Sequence, residues 1–457
     1  MITALESPIN VTFSLLSVTF VKLIVSTMSI SSRLERVHLQ SEEVTAGSTS
    51  CANDKGNALS LLDLPVEIFL HICSYLETST LVHRLSLVCK RFYLILQDDL
   101  LWKARINKIW PSVNYPILCP AKTDNLFWKS SCVAIEKQAG LWNSMEHLII
   151  NEETVTRDIS AVLLIENGDC VIAARNNSLM CRGNLFNVPK TFSLFDKEHF
   201  TSVEFAHNGE IVNLTAIDNT IYSCGRHDQV IKSWQLFTTG LRQQAAYEVN
   251  LIRSPYHLAS CRKRGLLATS VDSLSELNTV FVFDPRAGPK PILQYQPRAS
   301  VKKLVMNTEY IVNTSYHGEV SVWDQRAART IKSVKFSDYS PSCLNLQRDF
   351  ICVGGQNLDS GIEWCYVLDP TKDFEVVKYF PTEHRDRLMG IYLIHGCLIT
   401  ICRDGCVVIS SLTDPPKKIA TFFSSYNIFS VDYLNDIFAI GNDRTIQLWC
   451  PTSKRLT

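Results

Sequence analysis

The sequence carries no surplus of either charge: 45 lysines and arginines stand against 45 aspartates and glutamates. Binding of nucleic acid or of an anionic membrane by bulk electrostatics needs a basic patch or stripe, so neither is expected as a partner. The one tight basic cluster, Arg262-Lys263-Arg264, reads as a solvated loop. The sixteen cysteines include no Cys-x-x-Cys pair and no paired cysteine/histidine finger spacing. Cys402 and Cys406 flank a turn, which by itself makes no metal site. Cys224, Cys352, Cys397 and Cys402 stand in apolar, strand-like surroundings and read as reduced core residues of a cytoplasmic or nuclear protein. Catalytic signatures are missing as well: there is no G-x-S-x-G, no P-loop and no H-E-x-x-H. A non-catalytic chain without cofactor or metal is therefore expected.

What is present is a 457-residue chain with 46% apolar residues, enough for two or three globular domains. Residues 10–30, NVTFSLLSVTFVKLIVSTMSI, are apolar, but Lys22 interrupts them and Ser and Thr recur throughout. Only Glu6 precedes them, where a signal peptide would carry basic residues, and no small-residue cleavage site follows. A membrane span is not expected there, and Met28 reads as an alternative initiator. Residues 31–58 are polar and rich in Ser, Glu and Thr, the composition of a disordered segment.

From Leu61 to Trp102 the pattern becomes helical. Pro65 suits a first helical turn, where its missing N–H is no loss, and Glu67 favours the positive helix start. Ile68, Phe69, Ile72, Cys73 and Leu76 recur at three- and four-residue steps. Glu77-Thr78-Ser79-Thr80 offers capping hydroxyls for a second helix carrying Leu81, Val82, Leu85 and Val88. A third helix is predicted from about Lys90 to Leu96, and Asp98-Asp99 opens a fourth. Leu64-Pro65, Glu67-Ile68, Tyr75-Leu76, Leu81, Leu85, Val88-Cys89-Lys90-Arg91-Phe92 and Leu100-Trp102 together resemble an F-box. The resemblance implies docking onto the Skp adaptor of a cullin-RING ubiquitin ligase. It assigns the contact to Leu64, Pro65, Ile68, Leu76, Leu85, Val88, Cys89, Phe92 and Trp102. Beyond it, Leu126, Phe127, Val133, Ile135 and Trp142 lie on a helix that Asp124 can cap. That helix reads either as a rigid connector or as a plain linker.

After about Ala161 short β runs replace helices, and a period of roughly 40 to 50 residues emerges. Each unit ends in a Trp-Asp-like strand: Met180-Cys181-Arg182, Lys232-Ser233-Trp234, Val282-Phe283-Asp284, Val322-Trp323-Asp324, Val367-Leu368-Asp369, Ile409-Ser410 and Leu448-Trp449. These seven units resemble WD repeats, and the span from about Ser60 to Cys450 is similar to the F-box/WD repeat-containing family. The implied architecture is multidomain: a small all-α F-box with a helical linker, then an all-β seven-bladed propeller. The expected boundaries are 1–58 (N-terminal segment), 59–108 (F-box), 109–142 (linker) and 143–457 (propeller). Few residues follow Cys450, so blade seven must borrow its outer strand, and residues 143–157 are expected to supply it.

The resemblance also places polar sets. His207, Asp228 and Trp234 are expected to meet in blade two, with Cys224 standing where a hydroxyl is usual. His384, Thr400 and Asp404 are expected to hydrogen-bond in blade six. Both sets read as buried ties, not catalytic groups. On the top face, the residue before each structural Asp should point outward. Those positions hold Arg175, His227, Tyr316, Arg403 and Asn442, with Arg226 one residue earlier. Arg175, Arg226, His227 and Arg403 thus become candidates for gripping an acidic or phosphorylated protein substrate. The implied role is substrate recognition for an SCF-type ligase. The alternative is an assembly scaffold that binds the adaptor without driving degradation.

Overall fold

The computed structural model describes residues 64–111, 126–151, 159–165, 170–183, 201–237, 240–249, 255–271, 278–347, 350–424, 427–443 and 445–452, with a few single positions between. Residues 10–30, the polar 31–58 segment and Asp124 lie outside them. Among the described residues no helix is long and apolar enough to cross a membrane. The chain divides into two compact units. A helical one comprises the residues up to Ser112 together with Pro120–Lys137, and a β one comprises Val113–Cys119 with Gln138–Thr457.

The helical unit contains α1 (Val66–Cys73), α2 (Thr78–His83), α3 (Lys90–Leu96), α4 (Asp99–Ile109) and the first part of α5 (Phe127–Trp142), whose last turn belongs to the β unit. The three- and four-residue spacing converges on one core: Phe69, Cys73, Leu81, Leu85, Phe92, Leu96, Trp102 and Ile106 are all buried. Phe69 stacks on Phe92 with ring centroids 4.3 Å apart. The buried Trp102 indole satisfies its N–H by donating to the Leu96 carbonyl at 2.9 Å. Asp98 caps α4, accepting from the Leu100 N–H at 3.0 Å.

The start of α2 departs from expectation. No hydroxyl of Thr78, Ser79 or Thr80 caps it. Its Thr78 N–H instead donates 2.7 Å to the Glu136 carboxylate of α5, while the Thr78 hydroxyl meets the Cys132 thiol at 3.2 Å. Arg105 closes this knot. Its guanidinium donates to the carbonyl of Cys73, the last residue of α1, to that of Leu76 three residues on, and to Glu136. One arginine thus ties the turn that follows α1 to the carboxylate on α5.

The β unit is a seven-bladed propeller built from seven four-stranded antiparallel sheets. The blades run over 159–203, 211–248, 255–295, 301–335, 339–381, 388–423 and 428–451. The outer strand of the seventh is the early segment Met145–Asn151, paired antiparallel with Thr445–Pro451 from Met145↔Pro451 to Asn151↔Thr445. This is the borrowed strand that the sheet-edge argument requires. Between the innermost strands of blades seven and one, Ser430 Oγ donates to the Ile159 carbonyl at 3.1 Å, and the half-buried Asp432 carboxylate accepts from the Leu164 N–H at 2.7 Å.

One regularity was not read from the sequence. In every blade the pairing of the innermost strand slips by one residue near its start, after the third position in blade five and after the first in the other six, at Ser160, Val212, Tyr256, Lys302, Ser342, Met389 and Phe429. A bulge adds local twist and re-aims the chain, which a closed ring of twisted sheets needs once per blade. A second slip falls at the tryptophan-like position in four blades, at Trp234, Trp323, Leu368 and Ser410.

Candidate functional site

Two surfaces carry the candidate residues, one on each unit. On the helical unit, the residues that close the core and those left outside it separate cleanly. Leu76, Leu85, Phe92 and Trp102, all expected as adaptor contacts, are buried. They hold the module together and present nothing to a partner. The remaining candidates stay accessible: Pro65, Ile68 and Val88 are exposed, Leu64 and Cys89 partly so. Further apolar side chains stand outside that the motif did not single out, including Tyr75, Leu87 (76% exposed), Tyr93, Leu94 and Leu100 (70% exposed). So much exposed apolar surface on so few residues marks an interaction surface. The signal was available: these are the helical positions left over once the core face is assigned.

On the propeller, blade two forms the expected buried set and corrects its hydroxyl. Asp228, 2% exposed, sits against His207 Nδ1 and also accepts from the Asn208 N–H at 3.2 Å. His207 Nε2 meets Ser223 Oγ at 2.6 Å, and the Trp234 indole N–H donates to that same oxygen at 2.7 Å. Ser223 is therefore the hydroxyl, and Cys224 lies one residue along in the apolar layer between blades two and three. The proton inventory follows. A carboxylate only accepts, so His207 Nδ1 carries the hydrogen, and Nε2 accepts from the serine while the serine accepts from the indole. Burial lowers the His207 pKa and keeps the ring neutral against the pull of Asp228.

Blade six departs from this pattern. His384 Nε2 meets Thr400 Oγ1 at 2.7 Å as expected, but Asp404 is exposed and makes no hydrogen bond to His384. Its Oδ1 instead accepts from the Cys406 N–H at 2.9 Å. Cys402, buried at the end of its strand, donates its thiol to the Asp386 carbonyl at 3.0 Å, and burial pushes its pKa up to about 12.

The top-face candidates scatter. Arg226, His227 and Arg403 are exposed. Arg226 pairs with Glu210 at 3.4 Å, and the Arg403 guanidinium lies over the Phe429 ring at 5.6 Å. Arg175 is 7% exposed and Asn442 fully buried, so neither points outward as expected. Asn442 is occupied in a turn, its Oδ1 accepting from the N–H and hydroxyl of Thr445. Tyr316 is half exposed and lies 5.3 Å from the Lys302 ammonium.

A helical module with an apolar surface followed by a seven-bladed propeller is the architecture expected of an F-box protein with WD-type repeats. Residues 61–107 match the F-box-like family. Over 422 residues the chain is 24% identical to F-box/WD repeat-containing protein 9 of Homo sapiens, covering 90% of this chain and 86% of that one. The Bos taurus protein of the same name is 25% identical over 392 residues, 84% of this chain and 79% of its own. F-box/WD repeat-containing protein mec-15 of Caenorhabditis elegans is 23% identical over 327 residues, 61% and 79% respectively.

Proposed function

We propose that this chain is the substrate-recognition subunit of an SCF-type cullin-RING ubiquitin ligase. In this reading the F-box binds the Skp adaptor and the propeller holds a protein substrate in the cytoplasm or nucleus. The observation that carries the reading is the apolar surface of the helical unit, Ile68, Leu87, Val88, Leu94 and Leu100, on helices whose opposite faces form a closed core. The division at 59–108, 109–142 and 143–457 belongs to the same reading. Arg226 and Arg403 are the accessible cations that would grip an acidic or phosphorylated substrate, with the exposed His227 as a further contact.

The test is co-purification. Ile68→Glu with Leu87→Glu places charge on two exposed apolar positions without touching the core, and should abolish capture of the Skp adaptor. Undiminished capture would remove the F-box assignment. Proximity labelling with and without proteasome inhibition then separates a receptor from a scaffold. A degradation substrate accumulates on inhibition, and a scaffold partner does not.

A further inference from the structure

The anomaly in blade six has a cause that comparison with blade two exposes. In blade two the strand position two residues past the Ser223 hydroxyl is Gly225, opposite Ile211. A Cβ there would lie 3.0 Å from His207 Cβ and 3.1 Å from its Nδ1. In blade six the same register position, opposite Leu388, is Cys402. The thiol thus occupies the place that a glycine leaves open beside the histidine. The turn that follows is also one residue shorter: Asp228 stands three residues past Gly225, and Asp404 only two past Cys402.

The proton inventory changes with it. Ser410 stands where blade two has Trp234, so no indole donates to Thr400. The Thr400 hydroxyl turns to the Val408 carbonyl at 3.4 Å and accepts from His384 Nε2–H. His384 therefore carries the opposite tautomer from His207, and its Nδ1 bears a lone pair. That nitrogen is buried, in a residue 6% exposed, and makes no hydrogen bond. A neutral imidazole with a buried, unbonded lone pair in a cluster with a thiol and a carboxylate is a ligand arrangement, since a buried acceptor without a donor otherwise costs about 1–3 kcal/mol. A ring nitrogen of His384, Cys402 Sγ and an Asp404 carboxylate oxygen all lie within 4.8 Å of one another.

We propose that His384, Cys402 and Asp404 form a binding site for a zinc-type divalent cation at the edge of blade six. Nitrogen, sulfur and oxygen donors of this kind suit zinc, and three protein ligands leave a fourth position open on the exposed Asp404 side. Donor atoms around tetrahedral zinc stand about 3.3–3.8 Å apart, so closure asks for a movement of about 1 Å. Asp404 is exposed and can supply it, and the Cys406 N–H already holds one of its oxygens. On binding, the Cys402 S–H breaks, a sulfur–metal bond forms and one proton passes to solvent. His384 gives up no proton, because its hydrogen stays on Nε2. The inference stands apart from the proposed ligase role and uses none of the adaptor or substrate contacts.

The experiment uses the purified full-length chain, stripped of metal and titrated with Co²⁺ and then Zn²⁺. One equivalent of Co²⁺ should produce a thiolate-to-metal charge-transfer band that Zn²⁺ displaces, with one proton released per ion. Cys402→Gly recreates the blade-two position and leaves room for Asp404 to approach His384. It should remove the band while the chain keeps its circular dichroism and melting temperature. Asp404→Asn, a change at an exposed residue, should weaken Co²⁺ at least tenfold. Absence of the band from the wild type would overturn the proposal. So would a band undiminished in both variants, which would trace the metal to other cysteines.

Discussion

Deleting residues 145–151, which lie outside every repeat, should unfold the entire propeller. Met145–Asn151 pairs with Thr445–Pro451 through seven consecutive residues, whereas that last strand pairs with its other neighbour, Ile437–Asn442, through only four. The early segment is thus the larger partner of the chain's last strand. Every residue from Thr445 to Pro451 is buried, Leu448 and Cys450 to 1–2% exposure. Removing the clasp bares one whole ladder edge and reopens the ring beside Ile159. A seven-residue antiparallel ladder holds about seven backbone hydrogen bonds, each contributing a net 0.5–1.5 kcal/mol, so the direct loss is about 4–10 kcal/mol. Whole-domain stabilities are about 5–15 kcal/mol, so the deletion consumes most of the reserve. A single proline at Ile149 should cost about 3 kcal/mol by removing one ladder donor and straining the strand. Urea denaturation followed by tryptophan fluorescence measures both, and a synthetic peptide spanning 143–152 should partly restore the deletion variant. A deletion variant with unchanged midpoint and slope would refute the clasp.

Four further outcomes follow from named contacts. Trp102→Ala should destabilise the helical unit by about 3–5 kcal/mol, whereas Leu100→Ala, two residues away and 70% exposed, should leave stability within about 0.5 kcal/mol yet weaken adaptor capture; proteolysis and pull-down separate the two. Asp228→Ala leaves the His207 Nδ1–H and Asn208 N–H buried without an acceptor and should cost about 2–5 kcal/mol, while Asp404→Ala in metal-free protein should be near neutral by thermal melting. His257 is buried, with its pKa lowered to about 3, below the unfolded value of 6.5. Its contribution is complete above pH 6.5 and is lost as pH falls towards 3, so His257→Gln should flatten the acid limb of stability by up to about 1.4 kcal/mol per pH unit. Glu363 has the opposite sign: burial raises its carboxyl to about 7, so its contribution is complete below pH 4.5 and is lost as pH rises to 7. Glu363→Gln should therefore raise the melting temperature relative to wild type at pH 8 and not at pH 4.5, and equal shifts at both would refute that assignment.

The helices of the F-box, the seven blades and the borrowed strand were all legible in the sequence, because each follows from a local period or from an edge that must be covered. Apolar residues three and four apart specify a helix and its buried stripe whatever lies beyond. A 40- to 50-residue repeat of short strands points to a propeller, and a blade whose outer edge is bare calls for a strand to cover it. What the period leaves undetermined is which apolar residues the core has no room for. Leu76, Leu85, Phe92 and Trp102 are as apolar as Ile68, Leu87 and Leu100, yet the packing of four short helices buries the first set and leaves out the second. The cap of α2 was equally out of reach, since its carboxylate, Glu136, stands 58 residues away while three local hydroxyls go unused for it.

Blade six makes the same division most sharply. His384 stands sixteen residues before Thr400, as His207 stands before Ser223, but Asp404 follows Thr400 by four residues where Asp228 follows Ser223 by five. Only the register of the folded sheet set Cys402 opposite Leu388, in the space that Gly225 keeps clear in blade two. Spacing along a strand decides which residues can meet. Close packing decides which of them do, because two side chains cannot fill one volume.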